Sequence, residues 1–258
     1  MRLTGLLLAV FFLSPVQAFS QNPILLKVAL SAESPPTSYQ TEGEPRGLLV
    51  DLYVLLFSAM PGYSPELRAY PWARAQDNLQ NGTSDVFCTF PSETRKKYAV
   101  FSSAPLYVWD YGCLVYDLEN PKRKQIESAK SFNDLKDLTF IAQESVEWEK
   151  ENVPPFIKRY FVVNGPTLLH MAFSRKAGDF FIMGPEQAVY YSRELGYLKQ
   201  LGIKKVDFIP NSKIEFHVGI RKTFPGWREF ITELDKVMKD PDFLKKKSAV
   251  IARFTRTH

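Results

Sequence analysis

Histidine and cysteine are scarce, three and two in 258 residues. His170, His217 and His258 stand far apart, without the close spacing that a zinc site uses. Cys88 and Cys113 give no metal signature either. Both lie in apolar, strand-like runs, "DVFCTF" and "YGCLVY", and the pair is open between a disulfide and two buried free thiols. No cofactor or metal is called for. Beyond the N-terminal residues 1–18, no run is long and apolar enough to cross a bilayer. Neither sign of charge dominates: 33 Lys and Arg face 28 Asp and Glu, a net charge of +5. The dense basic run at 245–247 reads as a solvated helix face. A basic stripe interleaved with aromatics is missing, which argues against a nucleic-acid partner. A Ser, Cys or His catalytic constellation is missing too, and the reading is of a protein that is not an enzyme.

The N-terminus has the layout of an export signal. Arg2 supplies a positive start, "LLLAVFFL" (6–13) an apolar stretch too short to span, and "SPVQA" a breaker and compact residues before a cut after Ala18. No cysteine near the cut offers a lipid anchor. Only Arg2 among the charges leaves with residues 1–18, so the net charge falls from +5 to +4. The expected product is an exported, periplasmic monomer of about 240 residues, enough for one large domain or two small ones.

Strand and helix patterns then alternate. "ILLKVALS" (24–31) reads as a buried strand and "SPPTSYQTEGEPRG" (34–47) as a loop. Leu49, Leu52, Tyr53, Leu56, Phe57 and Met60 recur at helical spacing. "PELRAYP" (65–71) is a strand, "WARAQDNLQNG" a helix stopped by Gly82, and "SDVFCTF" (84–90) a strand. This βαβαβ order predicts a parallel sheet covered by helices. A second α/β unit follows, with strands at 134–143, 159–164 and 179–184 and helices starting near 145 and at 166 and 185. "KVDFIP" and "IEFHVGIRK" are further strands, and helices close the chain. Two α/β lobes predict a site in the crevice between them.

Several segments, in order, resemble the family 3 periplasmic solute-binding proteins of amino-acid and polar-solute importers: "PPTSY", "GLLVDL", "YPWARA", "NGTSDV", "SETRKKYAVFSSAPLY", "DLKDLTFIAQESV" and "AGDFFIMGPEQAVYYSRELG". The resemblance covers nearly the whole chain past the signal. It implies the two-lobed type II periplasmic-binding fold, each lobe a mostly parallel sheet flanked by helices, with the ligand cleft between lobes. Lobe 1 is then discontinuous, 22–113 with 210–258, and lobe 2 is 114–209, with crossings near 113–117 and 206–211.

The resemblance also implies site residues. Arg95 falls where amino-acid-binding members carry the arginine that grips the ligand carboxylate. A guanidinium suits that task because it offers a planar fork of donors and stays charged when desolvated. Read without the resemblance, Arg95 is a surface arginine in a helix N-terminal turn, like Lys96 and Lys97. Tyr39 sits in the loop after the first strand, where family members set an aromatic against the ligand. Arg74 and Trp72 belong to a Trp-x-Arg element, and Trp72 either lines the cleft or packs under the helix. Ser145 keeps a hydroxyl at a helix start, where it serves a ligand or simply caps the helix. Two departures stand out. Gly184 replaces the aspartate that usually holds the ligand ammonium, leaving Glu186 as its substitute, and Glu144 replaces a glycine. The cysteines, if bonded, require neighbouring strands in lobe 1 or its hinge.

The implied function is a binding protein that closes on a small, carboxylate-bearing solute of amino-acid type and delivers it to the permease of an ABC importer. The alternatives are a ligand-sensing partner of a membrane receptor, or a dehydratase-like enzyme on the same fold with Glu186 or Glu144 as acid or base.

Overall fold

The structure is a computed structural model that describes residues 22–144 and 147–256. The export signal expected over residues 1–18 and the candidate Ser145 lie outside the described residues. In chain order the elements begin with β1 (Ile24–Ser31), β2 (Glu33–Ser34), β3 (Ser38–Thr41), β4 (Glu44–Arg46), α1 (Leu48–Ser58), β5 (Tyr63–Tyr70), α2 (Trp72–Gln80) and β6 (Val86–Thr89). Then come α3 (Glu93–Lys96), β7 (Ala99–Phe101), β8 (Tyr107–Asp110), β9 (Cys113–Asp117), α4 (Arg123–Ser128), β10 (Thr139–Gln143), α5 (Glu147–Asn152), β11 (Lys158–Val162) and α6 (Gly165–Phe173). β12 (Phe181–Ile182), α7 (Pro185–Glu194), β13 (Leu201–Lys205), β14 (Lys213–Arg221), α8 (Trp227–Val237) and α9 (Pro241–Phe254) complete the fold.

The first sheet has the order β5-β1-β6-β14-β7, with β8 on the early part of β14. β1 runs parallel to β5, Ile24 opposite Tyr63 through Ser31 opposite Tyr70, and parallel to β6 at Val28 and Val86. In the second body β10 runs parallel to β11, β9 lies antiparallel between β12 and β13, and a bridge from Phe140 to Phe180 joins the two pieces. Both sheets are thus mixed, where the sequence reading expects mostly parallel ones. The parallel neighbours are those bridged by a crossover helix, α1, α2 or α5. The strands that carry the chain between bodies, β8, β9, β13 and β14, have no such helix to turn them round and pair antiparallel.

Each sheet has its own core. Leu26, Val28 and Leu30 of β1 meet Leu52, Tyr53 and Leu56 of α1 and Phe230 and Leu234 of α8. Leu114 and Val115 of β9 meet Phe140 and Ile141 of β10, Leu168 and Leu169 of α6 and Phe181 of β12. Fully burying one such side chain stabilises by about 1.5–3 kcal/mol. The chain passes between the bodies at 111–112 and returns at 206–212. The two passages lie side by side: Val206 N–H donates to the Gly112 carbonyl (2.8 Å) and Tyr111 N–H to the Ser212 carbonyl (2.7 Å).

Three expectations change here. Residues 34–47 are not a plain loop but carry β2, β3 and β4, paired through Glu33–Tyr39 and Tyr39–Arg46. The turn that permits this uses Glu42 and Gly43, both at positive φ (53° and 83°). The strand expected at "KVDFIP" lies earlier, at β13, and 206–210 belongs to the returning passage. Cys88 and Cys113 are both buried and free, not on neighbouring strands. Cys88 faces Val218 in the first sheet and Cys113 faces Lys205 in the second. Among the described residues no helix is long and apolar enough to cross a membrane.

Candidate functional site

β1 and β6 run parallel, so their C-terminal ends, Ser31 and Thr89, open on the same edge of the first sheet. A cavity of about 300 Å³ lies there, lined by Ser31, Ser38, Thr89 and a ring of larger side chains: Trp72, Phe90, Arg95, Trp109, Tyr111 and Phe216. That volume is at the small end for a pocket that buries a small molecule. No described residue of 113–205 reaches the cavity wall.

Local sequence sets each of these groups in place. Pro71 precedes α2 and holds a non-helical φ and ψ of −49° and 137°, which turns the chain sharply from β5 so that Trp72 starts the helix. Its indole then stacks on the buried Phe87 of β6, centroids 6.3 Å apart and planes 16° apart. Ser92 caps α3, its hydroxyl accepting the Arg95 N–H at 3.3 Å. That cap fixes the turn from which the Arg95 side chain reaches back over the cavity.

The Arg95 guanidinium is partly buried and surrounded by neutral groups. Nε donates to Gln76 Oε1 (3.1 Å) and Nη1 to the Phe90 carbonyl (3.2 Å). Its central carbon sits 4.3 Å from the Phe90 ring centre and 5.5 Å from that of Trp72. Desolvation pulls its pKa below the ordinary value, while the Tyr98 phenol opposes that change. Among the described residues no carboxylate pairs with it. A desolvated cation with ring faces beside it and donors to spare is built to receive an anion.

The carboxylates near the passages are engaged elsewhere. Asp110 accepts from Gly112 N–H (2.8 Å) and lies 3.2 Å from Lys205 Nζ. Burial raises the pKa of Glu186, against hydrogen bonds from its own backbone N–H and from Tyr107. Glu149 is buried, accepts Gln143 N–H at 2.8 Å, and burial pushes its carboxyl up to about 7.

Of the six candidates from sequence, Arg95 and Trp72 share the cavity. Tyr39 does not line it; on β3, its ring lies 5.9 Å from that of Tyr190 on α7, in a different depression with Asp51 and Arg193. Arg74 is exposed on α2 and donates through Nε to Asn78 Oδ1 (3.3 Å), away from the cavity. Glu186 is buried and does not line the cavity. Gly184 is closely covered: a Cβ there would stand 2.9 Å from Trp109 Nε1. The sequence reading missed Phe90, Trp109, Tyr111 and Phe216. A signal was available for Phe90, which directly follows β6, and for Tyr111, which directly follows β8; Trp109 and Phe216 lie within β8 and β14.

Among the described residues no group of three His, Cys, Asp or Glu side chains could hold a metal ion. His217 is buried with Nδ1 2.8 Å from the Ser102 carbonyl, and His170 Nδ1 lies 2.9 Å from the Tyr197 hydroxyl, both structural contacts.

Residues 26–255 match the family described as bacterial extracellular solute-binding proteins, family 3. Sequence comparison with curated proteins finds no match. Substrate binding domain 2 of GlnP from Lactococcus lactis, in an open conformation, superposes with a TM-score of 0.70 at 14% identity, over 91% of this chain and 96% of that one. An ancestral cationic amino acid solute binding protein gives 0.66 at 20%, over 90% and 96%. A histidine kinase sensor domain with similarity to periplasmic binding proteins gives 0.57 at 15%, over 90% and 96%. At these identities the likeness is one of fold.

Proposed function

The chain belongs to the bacterial extracellular solute-binding proteins, family 3, and from that premise we propose that it is a periplasmic, non-catalytic binding protein whose lobes close on a small carboxylate-bearing solute and deliver it to the permease of an ABC importer. The lobes are 22–113 with 210–258, and 114–209, and residues 1–18 are an export leader removed in the mature protein. The observation that carries this reading is Arg95, a partly desolvated guanidinium at a cavity wall with no carboxylate partner among the described residues. Leaving such a charge unpaired costs free energy, and an anionic solute supplies the missing partner. Two separate hydrophobic cores joined by two adjacent passages support hinge closure.

A second reading is a sensing role beside a membrane receptor. It is favoured by the likeness to a histidine kinase sensor domain, and the binding physics is the same in both.

The test is to identify by mass spectrometry the small molecules carried by the purified protein and to titrate them by calorimetry. Arg95→Ala is expected to weaken binding by about 2–5 kcal/mol, the cost of removing one partner of a buried charged pair. That is roughly 30- to 5,000-fold in Kd at about 1.4 kcal/mol per decade. Arg95→Lys recovers only part, because an ammonium lacks the planar fork. Binding by Arg95→Ala within a few-fold of the parent overturns the assignment, since a surface arginine would be worth only about 0–1 kcal/mol. N-terminal sequencing of the exported protein, expected to start near Phe19, checks the leader.

A further inference from the structure

Among the described residues the cavity wall holds one cation, Arg95, and no acidic side chain, against five aromatic ones: Trp72, Phe90, Trp109, Tyr111 and Phe216. These rings are held from behind. Trp72 stacks on Phe87. The Trp109 ring lies 5.6 Å from Tyr111 and 5.8 Å from Phe216, and Tyr111 lies 4.7 Å from Trp148 in a stacked arrangement. Rings fixed in this way present flat apolar faces at little ordering cost to a ligand.

Among the described residues an α-ammonium group would find no carboxylate on this wall, and the serine hydroxyls there are engaged, Ser31 with Ser34 and Ser38 with the Ser31 carbonyl. Stripping an ammonium of water requires a carboxylate or several acceptors. Asp110 is committed to Gly112 and Lys205 and Glu149 to Gln143 N–H, while Glu186 is buried and off the cavity wall. A side chain at 184 is barred by the Trp109 indole, 2.9 Å from where its Cβ would stand. Ring faces do attract cations, but the faces of Phe90 and Trp72 already carry the Arg95 guanidinium. A second positive charge beside it would be repelled.

We propose that this cavity selects monoanionic carboxylates with a flat aromatic body and no α-ammonium group, the class of aryl and arylalkanoic acids, over amino acids. The carboxylate pairs with Arg95 and the ring lies between the Trp72 and Trp109 walls. This rests on the reading of the Arg95 cavity as the solute site.

The experiment is calorimetry on the parent protein with three probes: 3-phenylpropanoate, L-phenylalanine and propanoate. The first is expected to bind at least about tenfold more tightly than either of the others, one decade in Kd for the unpaired ammonium or the missing ring. Trp109→Ala should weaken 3-phenylpropanoate by a several-fold larger factor than it weakens propanoate, and an equal loss for both would count against ring stacking on Trp109. Equal or tighter binding of L-phenylalanine overturns the selection against the ammonium, and equal binding of propanoate overturns the aromatic half. Either result leaves a carboxylate-binding cleft standing. If neither the three probes nor any standard amino acid binds, or if binding is indifferent to Arg95→Ala, the solute-site reading falls together with this one.

Discussion

Arg95 and Glu149 are two charges that the fold treats in opposite ways. The guanidinium keeps its charge under desolvation and waits at a cavity wall. The Glu149 carboxyl is buried and its pKa rises to about 7, with Gln143 N–H and Arg159 opposing the rise. A raised folded value in an acid means that the native chain keeps a proton which the unfolded chain gives up. The stability it contributes is whole below the ordinary glutamate pKa of about 4.3. It is lost as pH climbs through about 7. At roughly 1.4 kcal/mol per pH unit the loss is on the order of 4 kcal/mol at most. Glu149→Gln keeps an acceptor for Gln143 N–H and cannot ionise. Urea denaturation at pH 5 and pH 8 should therefore show the variant gaining on the parent at the higher pH; parallel pH profiles would rule out Glu149 as the source. At this scale the sequence was legible only in part. Arg95 stood out because "TRKKYAVFS" resembles a known element. Trp109 and Phe216 did not, because an aromatic in a strand pattern reads equally well as core, and only the packing of β8 against β14 turns these rings toward the cavity.

Elements were easier to read where hydrophobic period and breaker agreed. α1 carries its buried residues at Leu48, Leu49, Leu52, Tyr53, Leu56 and Phe57, the helical spacing visible in the sequence. α2 runs out at Asn81 before Gly82, which sits at φ 80°. The 34–47 segment was opaque because its strands are two to four residues long and one turn residue, Glu42, is a non-glycine at positive φ. Its tie to α1 has a signature that becomes visible only in three dimensions. Gly47 holds φ 116° and ψ −179°, a conformation essentially restricted to glycine. It also lets the backbone pass close to the 36–37 segment: Leu48 N–H donates to the Pro36 carbonyl (2.9 Å) and Leu49 N–H to that of Thr37 (2.8 Å). A Cβ at 47 would lie 2.5 Å from the Pro36 carbonyl oxygen. Gly47→Ala is expected to cost about 1–3 kcal/mol or more from the backbone conformation alone. A lowered urea midpoint with an unchanged slope would report it, and a midpoint equal to the parent's would show that the segment yields freely.

At the scale of the molecule, two α/β bodies could be read from the alternation of patterns, but the mixed pairing of their sheets could not, because strand direction depends on which segments lie adjacent in space. The two passages at 111–112 and 206–212 are hydrogen-bonded to each other, and Trp148 of the second body stacks on Tyr111 while its Nε1 donates to the Asn211 carbonyl at 2.9 Å. The second body is therefore fastened to the passages, while its cavity-facing side contributes no described residue to the wall around Arg95. A solute held only by the first body would leave one face in water. Rotation about the passages is the motion that would cover it without unmaking either core. A solute that binds the closed arrangement better than this one draws the population toward it, and only by that difference in affinity. Solute at 100 times its Kd is also expected to stabilise the folded chain by about 2.7 kcal/mol. The two effects are separable. Small-angle X-ray scattering at saturating solute should give a smaller radius of gyration than the solute-free protein, while Arg95→Ala at the same solute concentration keeps the larger one. A rise in melting temperature without compaction would mean that the solute is held by the first body alone, and closure would then be no part of binding.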